Sequence, residues 1–426
     1  MHILYLHQYF NTRKGYTGTR SYEFARRLVA KGHRVTMMTS GRYTADELTV
    51  PPDHDYIELD IEGIHVVPIA AAYANVQRGT ALSGSRRMIE FLRFARLAAK
   101  VGRKLVDPDV VFATSTPLTI GLAGRALGRH FGVPFVFEVR DVWPQALINT
   151  GTLRNPLVIW WLRRMERRIY AAARHIVALS PGMKAGIMRA GVPAERVTVI
   201  TNGSDVDLFR PDLDGSAARR RLGLGDSFAA IYFGAMGRAN GLEYAVEAAQ
   251  VLRDRRNDRI RIVLHGSGGT RPALEQLVQK YGLHNVIFSD PVPDKAGVAE
   301  LVAGCNACLT IYAATDTEQS WSPNKMFDAL AAGRPVLINV PGWLRETIES
   351  NGCGRYVDPQ RPEALADALE ELSSQPELCE RMGRQARALL EREFSREVLT
   401  ERLERVLLDA VAPTASGVGP PWERVT

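Results

Sequence analysis

The sequence predicts an α/β protein with two doubly wound parallel sheets. Apolar runs of strand length alternate with helical patterns over the first half, and the same alternation starts again after Asn202-Gly203-Ser204-Asp205. A chain of 426 residues is too long for one ordinary domain. Its 46% hydrophobic and 24% charged residues are typical of a globular protein. We therefore predict two domains that face each other across a cleft.

Seven apolar runs in the first half predict strands. They are Ile3–Leu6, Arg34–Thr39, His65–Ala70, Val110–Ser115, Phe135–Arg140, Ile176–Ser180 and Val197–Thr201. Helical patterns lie between most of them, for example Arg20–Lys31, which Gly32 would end. The first strand runs into a polar loop whose Gly15 and Gly18 would let the backbone approach a ligand. Because the loop lacks GxGxxG, an ordinary strand-to-helix turn stays open as the alternative.

The second series predicts six further strands. They are Phe228–Gly234, Arg261–Gly266, Val286–Ser289, Ala307–Tyr312, Pro335–Asn339 and Gly354–Val357. A strong helical pattern, Arg396–Ala410, follows them. We predict a first Rossmann-like domain over 1–204, a second over 205–394, a C-terminal helix over 395–411 that crosses back to the first domain, and a disordered tail over 412–426.

The stretch from Ser322 to Gly333 predicts a short helix at a ligand-binding edge. Ser322 suits its N-cap, Pro323 its first position and Gly333 its left-handed end. In a right-handed parallel crossover, its N-terminus would lie beyond the carboxyl ends of the strands. Backbone N–H groups there attract phosphate, Lys325 adds a cation, and Asp328 can accept from a ribose or sugar hydroxyl. A solvated i,i+3 ion pair between Lys325 and Asp328 is the alternative.

Positive charge is concentrated in the first half. Residues 1–204 contain 28 lysines and arginines against 15 aspartates and glutamates, a net +13, whereas the remainder carries −6. This asymmetry indicates that the first half meets an anionic surface or acceptor, either a membrane or a phosphorylated ligand.

Cysteines and apolar runs predict a cytoplasmic protein without a metal site. Of the 4 cysteines, only Cys305 and Cys308 have a metal-like spacing, and no second CxxC or paired histidine motif accompanies them. We expect reduced thiols. Met1–Phe10 is short and lacks a basic leader, so it predicts a strand rather than a signal peptide. No apolar run approaches the ~20 residues that span a bilayer.

Four segments resemble, in order, the motifs of one enzyme family. They are Gly15–Thr19 with Lys31-Gly32-His33-Arg34-Val35, then Asn202–Pro211, Phe233–Leu242 and Phe327–Val336. They are similar to the glycine loop with its KGHxV strand start, the interdomain NGVDxxxFxP, the GRLxxxKG diphosphate loop and the EAMAxGxPV of retaining glycosyltransferases, family 4 or group 1. The resemblance covers nearly the whole chain. It implies the GT-B fold and a nucleotide-sugar donor, expected to be UDP-linked, with no metal or other cofactor.

Within this resemblance, the donor would lie mainly on the second domain. Arg238 would face the diphosphate, and Asp328 would accept from the ribose. Lys325, with the amides around Asn324, would neutralise the leaving phosphate, where charge stabilisation is needed. Retention would follow from front-face attack, in which the departing phosphate takes the acceptor's proton. Further substrate-binding candidates are Gly18, Asn240, Gly266, Ser320 and Ser322.

Two departures from the family pattern concern the second domain. Asp328 stands where the second family glutamate is expected, and Ser320 stands eight residues earlier in place of the first. Glu318 is close but out of register. Asn240 replaces the usual lysine of the diphosphate loop, and Lys325 could supply that cation from the other side.

The third departure is that the usual cleft histidine of the first domain has no counterpart. Arg140, at the end of a predicted strand, falls nearest to that position. Asp141 would orient Arg140 by a bidentate bond so that the guanidinium holds sugar hydroxyls; an ion pair that only closes the loop is the alternative. Glu138 alternates with Arg140 on one strand face and is a second candidate contact for sugar or acceptor.

These observations predict a metal-independent, retaining hexosyltransferase. It would move a hexosyl residue from a UDP-sugar to a glycan or a polyprenyl-diphosphate-linked acceptor. In the subgroup that the RDxWP sequence Arg140–Pro144 resembles, this hexosyl residue is often N-acetylated or deoxy. Cell-surface polysaccharide synthesis is the expected process, and no nucleic-acid partner is expected. A sugar-nucleotide epimerase or hydrolase of the same fold, and a catalytically dead sugar-nucleotide binder, are the alternatives.

Two predicted helices indicate where such an enzyme would work. In 85–104, basic residues share one face while Ile89 and Leu92 would face the sheet. In 155–173, a buried stripe that begins with Val158 would lie opposite Trp160 and three arginines. The basic residues of both faces are Arg93, Arg96, Lys100, Arg103, Arg163, Arg164 and Arg167. Tryptophan among arginines is typical of a helix at an anionic leaflet, so we expect a peripheral protein on the inner face of the cytoplasmic membrane. A solvated face with Trp160 packed under a loop is the alternative.

Overall fold

The computed structural model describes residues 1–14, 18–41, 48–70, 84–105, 107–145, 148, 153–313 and 320–412. These residues form two compact units. Residues 1–201 and the chain from Leu399 onward make the first, and residues 202–398 make the second. The tail predicted to be disordered lies outside the described residues from position 413, as do Gly15 and Glu318.

An eight-stranded sheet is the centre of the first unit. Its strands are β1 (His2–Leu6), β2 (Arg34–Ser40), β3 (Leu59–Ile61), β4 (Ile64–Ile69), β5 (Val110–Thr114), β6 (Phe135–Val139), β7 (His175–Ala178) and β8 (Val197–Val199). In the order β3-β4-β2-β1-β5-β6-β7-β8, every neighbouring pair is parallel except β3 and β4. No predicted strand corresponds to β3, which is joined to β4 by a tight turn where Glu62 and Gly63 both have positive φ.

Helices cover both faces of this sheet. They are α1 (Arg20–Ala30), α2 (Gly84–Leu105), α3 (Ile120–Phe131), α4 (Pro156–Ala172) and α5 (Pro181–Arg189), followed by a 3-10 turn at Ala194–Arg196. Successive strand residues point to opposite faces. Leu4 and Leu6 therefore pack with α2, α3 and α4, whereas Ile3 and Tyr5 pack with α1 and with the chain from Leu399.

The second unit is built on a six-stranded sheet in which all neighbouring pairs are parallel. Its strands are β9 (Phe228–Phe233), β10 (Ile260–His265), β11 (Val286–Ser289), β12 (Ala307–Thr310), β13 (Val336–Ile338) and β14 (Gly354–Tyr356), in the order β11-β10-β9-β12-β13-β14. With helices between parallel strands in both units, the predicted fold class is confirmed.

The helices of the second unit follow the same alternation. They are α6 (Ser216–Arg221), a 3-10 turn (Arg238–Asn240), α7 (Glu243–Asp254), α8 (Arg271–Lys280), α9 (Lys295–Ala303), α10 (Asn324–Ala331), α11 (Trp343–Ser350), α12 (Pro362–Ser374) and α13 (Pro376–Leu389). A π-helical turn, Leu390–Phe394, leads into α14 (Arg396–Val411), which belongs to the first unit from Leu399 onward.

The carboxyl ends of the strands carry the candidate residues. In the first unit, His7, Ser115 and Arg140 follow β1, β5 and β6 directly or by one residue. In the second, Gly234 follows β9 and Gly266 follows β10. Parallel strands end at one edge of a sheet, so each set lies along a single edge, where doubly wound proteins bind ligands.

Candidate active site

Lys325 lies among aromatic rings at the carboxyl edge of the second sheet. It is the second residue of α10, and its Nζ lies 3.9 Å from the centre of the Tyr232 ring and 4.8 Å from that of Tyr312. The same Nζ donates a 3.4 Å hydrogen bond to Asn240 Oδ1. Burial lowers the pKa of Lys325 to about 7, while the ring faces and the amide oxygen favour the ammonium form. This lysine can therefore change its charge near neutral pH.

Arg238 is the second predicted cation of this edge. It opens the 3-10 turn after β9, and its side chain is exposed, without a hydrogen-bond or ion-pair partner among the described residues. Ala313 N–H donates to the carbonyl of Ala239 at 3.0 Å, which ties this turn to the segment after β12. The turn thus brings an unpaired guanidinium and Asn240, the partner of Lys325, to one edge.

Glycines let the loops after β9 and β10 touch through their backbones. Gly266 has a φ of +132°, and a Cβ there would lie 2.0 Å from the carbonyl oxygen of Gly234. Gly268 has a φ of +156°, and its Cβ would lie 2.2 Å from the carbonyl oxygen of Met236. A Cβ at Gly234 would in turn lie 3.7 Å from Lys325 Cε. Only glycine allows this packing, which leaves backbone rather than side chains beside the lysine.

The start of α10 differs from the prediction by one residue. Pro323 holds the N-cap position, and the Ser322 hydroxyl instead accepts the backbone N–H of Asn202 at 2.9 Å. The prediction that Ser322 caps the helix is therefore wrong. Asn324 Oδ1, in the first turn, is buried and has no partner among the described residues, so it can accept from a ligand. Ser320 is half-buried before the helix.

Asp328 is buried within the second unit. Its side chain accepts from the Ser204 hydroxyl at 2.6 Å and lies 3.5 Å from Lys295 Nζ. Residues 326–331 of α10 are all buried, so there is no solvated face for an ion pair with Lys325. Both carboxylate oxygens have partners inside the unit, and the ribose contact stays a prediction. The carboxylate joins α10 to α9 and to the segment after residue 202.

In the first unit, Arg140 is held by a histidine that the sequence analysis did not identify. Its Nη1 lies 3.2 Å from His7 Nε2, and its backbone N–H donates to Ser115 Oγ at 2.9 Å. His7 Nδ1 lies 2.6 Å from Ser21 Oγ. A guanidinium can only donate, so Nε2 accepts and Nδ1 carries the proton that is donated to Ser21. Burial and the charge of Arg140 hold the pKa of His7 well below its usual value, which keeps the ring neutral.

Glu138 does not have the predicted role. It is fully buried on β6, where it pairs with Arg20 at 2.8 Å and accepts from the Thr114 hydroxyl. Burial alone would raise the pKa of Glu138, but Arg20 and the hydrogen bonds hold it below its usual value. Arg20 also donates to the carbonyl of Ile200 at 2.8 Å. The carboxylate is therefore a counter-charge inside the unit and is not open to sugar or acceptor.

Asp141 does not orient Arg140. Its Oδ2 accepts from the Thr116 hydroxyl at 2.6 Å, and the described side chains show no bond between Asp141 and Arg140. Neither the predicted bidentate bond nor the alternative ion pair between Arg140 and Asp141 is therefore present among the described side chains. The Arg140 guanidinium is held by His7 and not, as predicted, by Asp141.

Buried polar atoms without partners lie near the start of α1. The Gln8 side-chain amide and the Thr19 hydroxyl are fully buried and have no hydrogen-bond partner in the part of the chain that the structure describes. Gly18 is half-buried immediately before Thr19. Unpaired buried donors and acceptors of this kind are satisfied by ligand hydroxyls or ordered water.

Two sequence signals could have identified the missed residues. His7 directly follows the first predicted strand, and Tyr312 is the last residue of the predicted strand Ala307–Tyr312, so both lie at the edge where ligands bind. Tyr232 lies one residue before the end of β9. Their contacts to Arg140 and Lys325 depend on strand order, which the sequence does not display.

The described residues contain neither a metal cluster nor a helix that could span a membrane. No group of three or more His, Cys, Asp and Glu among them is arranged to hold a metal ion. The four cysteines are free thiols, and Cys305 and Cys308 are buried. None of the described helices combines the length and the apolar character needed to cross a bilayer.

Comparison with known proteins assigns each unit to a domain family. The glycosyl transferase 4-like domain matches residues 17–203, and the glycosyl transferases group 1 domain matches residues 216–389. WcaI of Escherichia coli strain K12, named as a colanic acid biosynthesis glycosyl transferase, is 26% identical over 370 residues, which cover 84% of this chain and 87% of WcaI.

Solved structures share the fold over nearly the whole chain. Sucrose-phosphate synthase from Thermosynechococcus elongatus has a TM-score of 0.73 at 19% identity and covers 96% of this chain and 98% of its own. HepE of Anabaena, solved with UDP and glucose, has a TM-score of 0.69 at 17% identity and covers 96% of this chain and 100% of its own. The predicted GT-B class is confirmed by these similarities. With one matching domain in each half, the chain belongs to the group 1 glycosyltransferases, of the glycosyl transferase 4-like type.

Proposed function

We propose that the protein is a retaining hexosyltransferase that uses a UDP-sugar as its donor. The observation that carries the proposal is the half-buried Lys325, which lies between two tyrosine rings beside glycine backbone at the carboxyl edge of the second sheet. A cation in such a place suits a diphosphate. The UDP and glucose bound by HepE support the choice of donor.

The donor site would act on the leaving group. Breaking the anomeric bond leaves negative charge on the UDP β-phosphate, which Lys325 and Arg238 would stabilise. The free N–H groups at the start of α10 add a partial positive charge at the same edge. Loss of one preorganised donor of this kind costs roughly 3 kcal/mol of barrier, about a hundredfold in rate. In front-face attack, the departing phosphate would then take the proton of the acceptor hydroxyl, which retains the anomeric configuration.

Arg140 would bind sugar hydroxyls or an acceptor phosphate in the first unit. One of its N–H groups is directed to the neutral His7, and the others have no partner among the described side chains. Because His7 itself is fixed by Ser21, the guanidinium is held in one orientation before a ligand arrives. Preorganisation of this kind lowers the entropic cost of binding.

We further propose a glycan or polyprenyl-diphosphate-linked acceptor and a role in cell-surface polysaccharide synthesis. The name of WcaI supports this process, and the net charge of +13 over residues 1–204 suits an anionic acceptor or membrane. Such an acceptor would place the enzyme at the inner face of the cytoplasmic membrane. We propose that two cationic side chains, Lys325 and Arg238, replace a divalent metal at the diphosphate.

A panel of UDP-hexoses tests the proposal directly. Purified protein should release UDP in the presence of a glycan or lipid-linked acceptor, and NMR of the product should show the anomeric configuration of the donor. The rate should be unchanged in EDTA. Sugar isomers without UDP release would indicate an epimerase, and UDP release that ignores the acceptor would indicate a hydrolase. Donor binding without turnover would leave a catalytically dead binder.

A further inference from the structure

Helices α2, α3 and α4 form one layer on the first sheet. α2 packs against α3, α3 packs against α4, and all three share an apolar core with Leu4 and Leu6 of β1. α3 lies between α2 and α4, and the sides of these helices that turn away from the core make up one face of the unit. In a parallel crossover, the helix starts at the carboxyl edge of the sheet. The first turns of α2 and α4 accordingly lie at the edge where His7 and Arg140 follow their strands.

Large apolar side chains are exposed on this surface. In the first two turns of α4, Leu157, Trp160 and Trp161 are 75%, 59% and 40% exposed. Ile89, near the start of α2, is 61% exposed, so it does not face the sheet as predicted. Val158 is 39% exposed and is not part of the buried stripe. Together these are five of the eight exposed large apolar side chains in the described chain, a concentration that marks an interaction site.

Exposed arginines continue the surface along α4. None of the four pairs with an acidic side chain among the described residues; they are Arg163, Arg164, Arg167 and Arg168. The guanidinium of Arg164 lies 5.9 Å from the centre of the Trp160 ring. The single acid of α4, Glu166, is buried beneath them. The outward side of the helix is thus apolar at its start and purely basic beyond it.

We propose that this surface, formed by the outward sides of α2 and α4, docks on an anionic lipid leaflet. Trp160, Trp161 and Leu157 would enter the lipid interface, and the arginines of α4 would contact lipid phosphates. Charge complementarity favours this occupant over a second copy of the chain, which would bring the same arginines face to face. The proposal deepens the proposed function and rests on it for the acceptor. Docking through the starts of α2 and α4 would hold the edge with Arg140 next to a lipid-linked acceptor.

Vesicle co-sedimentation of the full chain tests the proposal. The vesicles contain equal parts of phosphatidylcholine and phosphatidylglycerol, or phosphatidylcholine alone. The wild-type protein should bind the anionic vesicles, bind less with added salt, and remain in the supernatant with the neutral ones. A variant with Trp160→Ala and Arg164→Glu should bind at least tenfold more weakly, because each lost basic contact costs roughly fivefold.

A matched control carries the same two kinds of change elsewhere in the first unit. Leu408→Ala with Arg405→Glu alters an exposed apolar and an exposed basic residue of α14, which packs on the other face of the sheet, and should bind as the wild type does. A second variant, Arg167→Glu with Arg168→Glu, tests the basic part alone. Equal thermal unfolding of all variants would show that the fold is kept.

Three results would overturn the docking proposal. They are equal binding to neutral and anionic vesicles, wild-type binding by the Trp160 and Arg164 variant, and a wild-type dimer that this variant alone dissociates. Failure of the proposed function is seen separately, in UDP release with a water-soluble acceptor. That rate should be the same in wild type and docking variants, so lost donor use and lost lipid binding are distinguishable.

Discussion

Donor use should decrease as the pH rises through the pKa of Lys325. That pKa is about 7 in the donor-free protein. The side chain would then be about nine-tenths charged at pH 6 and about one-tenth charged at pH 8. If only the ammonium form accepts the diphosphate, kcat/KM for the donor should fall about tenfold between these pH values. A bound diphosphate stabilises the cation and raises the pKa, so kcat should fall at higher pH than kcat/KM.

The assay is the initial rate of UDP release from pH 5.5 to 9. Two variants separate the contribution of the charge at position 325 from that of its titration. Lys325→Met removes the charge at all pH values and should cost about a hundredfold in kcat/KM, the usual loss for one preorganised donor. Lys325→Arg keeps a charge that does not titrate in this range, so the decrease above pH 7 should disappear even if the rate is lower. The decrease can be assigned to this lysine only if the Arg variant abolishes it.

Two outcomes would refute this reasoning. An Arg variant with the pH profile of the wild type would assign the titration to another group. A Met variant with wild-type kcat/KM would mean that the diphosphate lies elsewhere. Thermal unfolding of each variant at pH 6 serves as the control for the fold.

Further predictions follow from single contacts. His7→Ala should lower kcat/KM roughly tenfold without changing the pH at which kcat/KM decreases, and His7→Gln, which can still accept from the arginine, should recover part of the loss. Glu138→Gln leaves a buried arginine without its counter-charge, so urea unfolding should show a loss of about 3–5 kcal/mol. Gly266→Ala forces a Cβ to within 2.0 Å of a backbone carbonyl and should abolish the thermal shift with UDP, whereas Gly269→Ala, with nothing within 4 Å, should keep it. Asp328→Ala should lower the free energy of unfolding by about 3–5 kcal/mol by leaving a buried lysine unpaired; unchanged stability with a raised donor KM would support the ribose contact instead.

The fold could be predicted because its determinants are local. A strand buried on both faces is an apolar run whatever its neighbours are, so β1 and β9 are visible in the sequence alone. β3 is different. It is short and half-buried, and it becomes a strand only because Glu62 and Gly63 turn the chain into β4. Edge strands of this kind depend on a tertiary partner, which periodicity does not reveal.

The site could be predicted only in part, because the wrong predictions concern contacts between residues that are far apart in the sequence. The spacing on α10 correctly puts Lys325 near the strand ends, since that depends on a single crossover. Glu138 has the expected strand and face, but its oxygens are already bound to Arg20, 118 residues away. Arg140 was identified, whereas its partner His7 was not, because 133 residues separate them. The type of a residue and the strand face on which it lies are local properties. Whether its polar atoms are already bonded to other residues depends on the tertiary structure.

One contact accounts for the departure from the family pattern at Asn240. A lysine is usual where Asn240 stands, and in this chain the Asn240 amide oxygen accepts from Lys325 at 3.4 Å. A lysine at position 240 would bring a second ammonium to this turn, and the repulsion would lower the pKa of Lys325 further. An asparagine instead orients the one cation and favours its charged form. The site therefore keeps one well-positioned ammonium, supplied by α10 instead of the loop after β9, and the loss of the usual loop lysine does not imply a loss of donor binding.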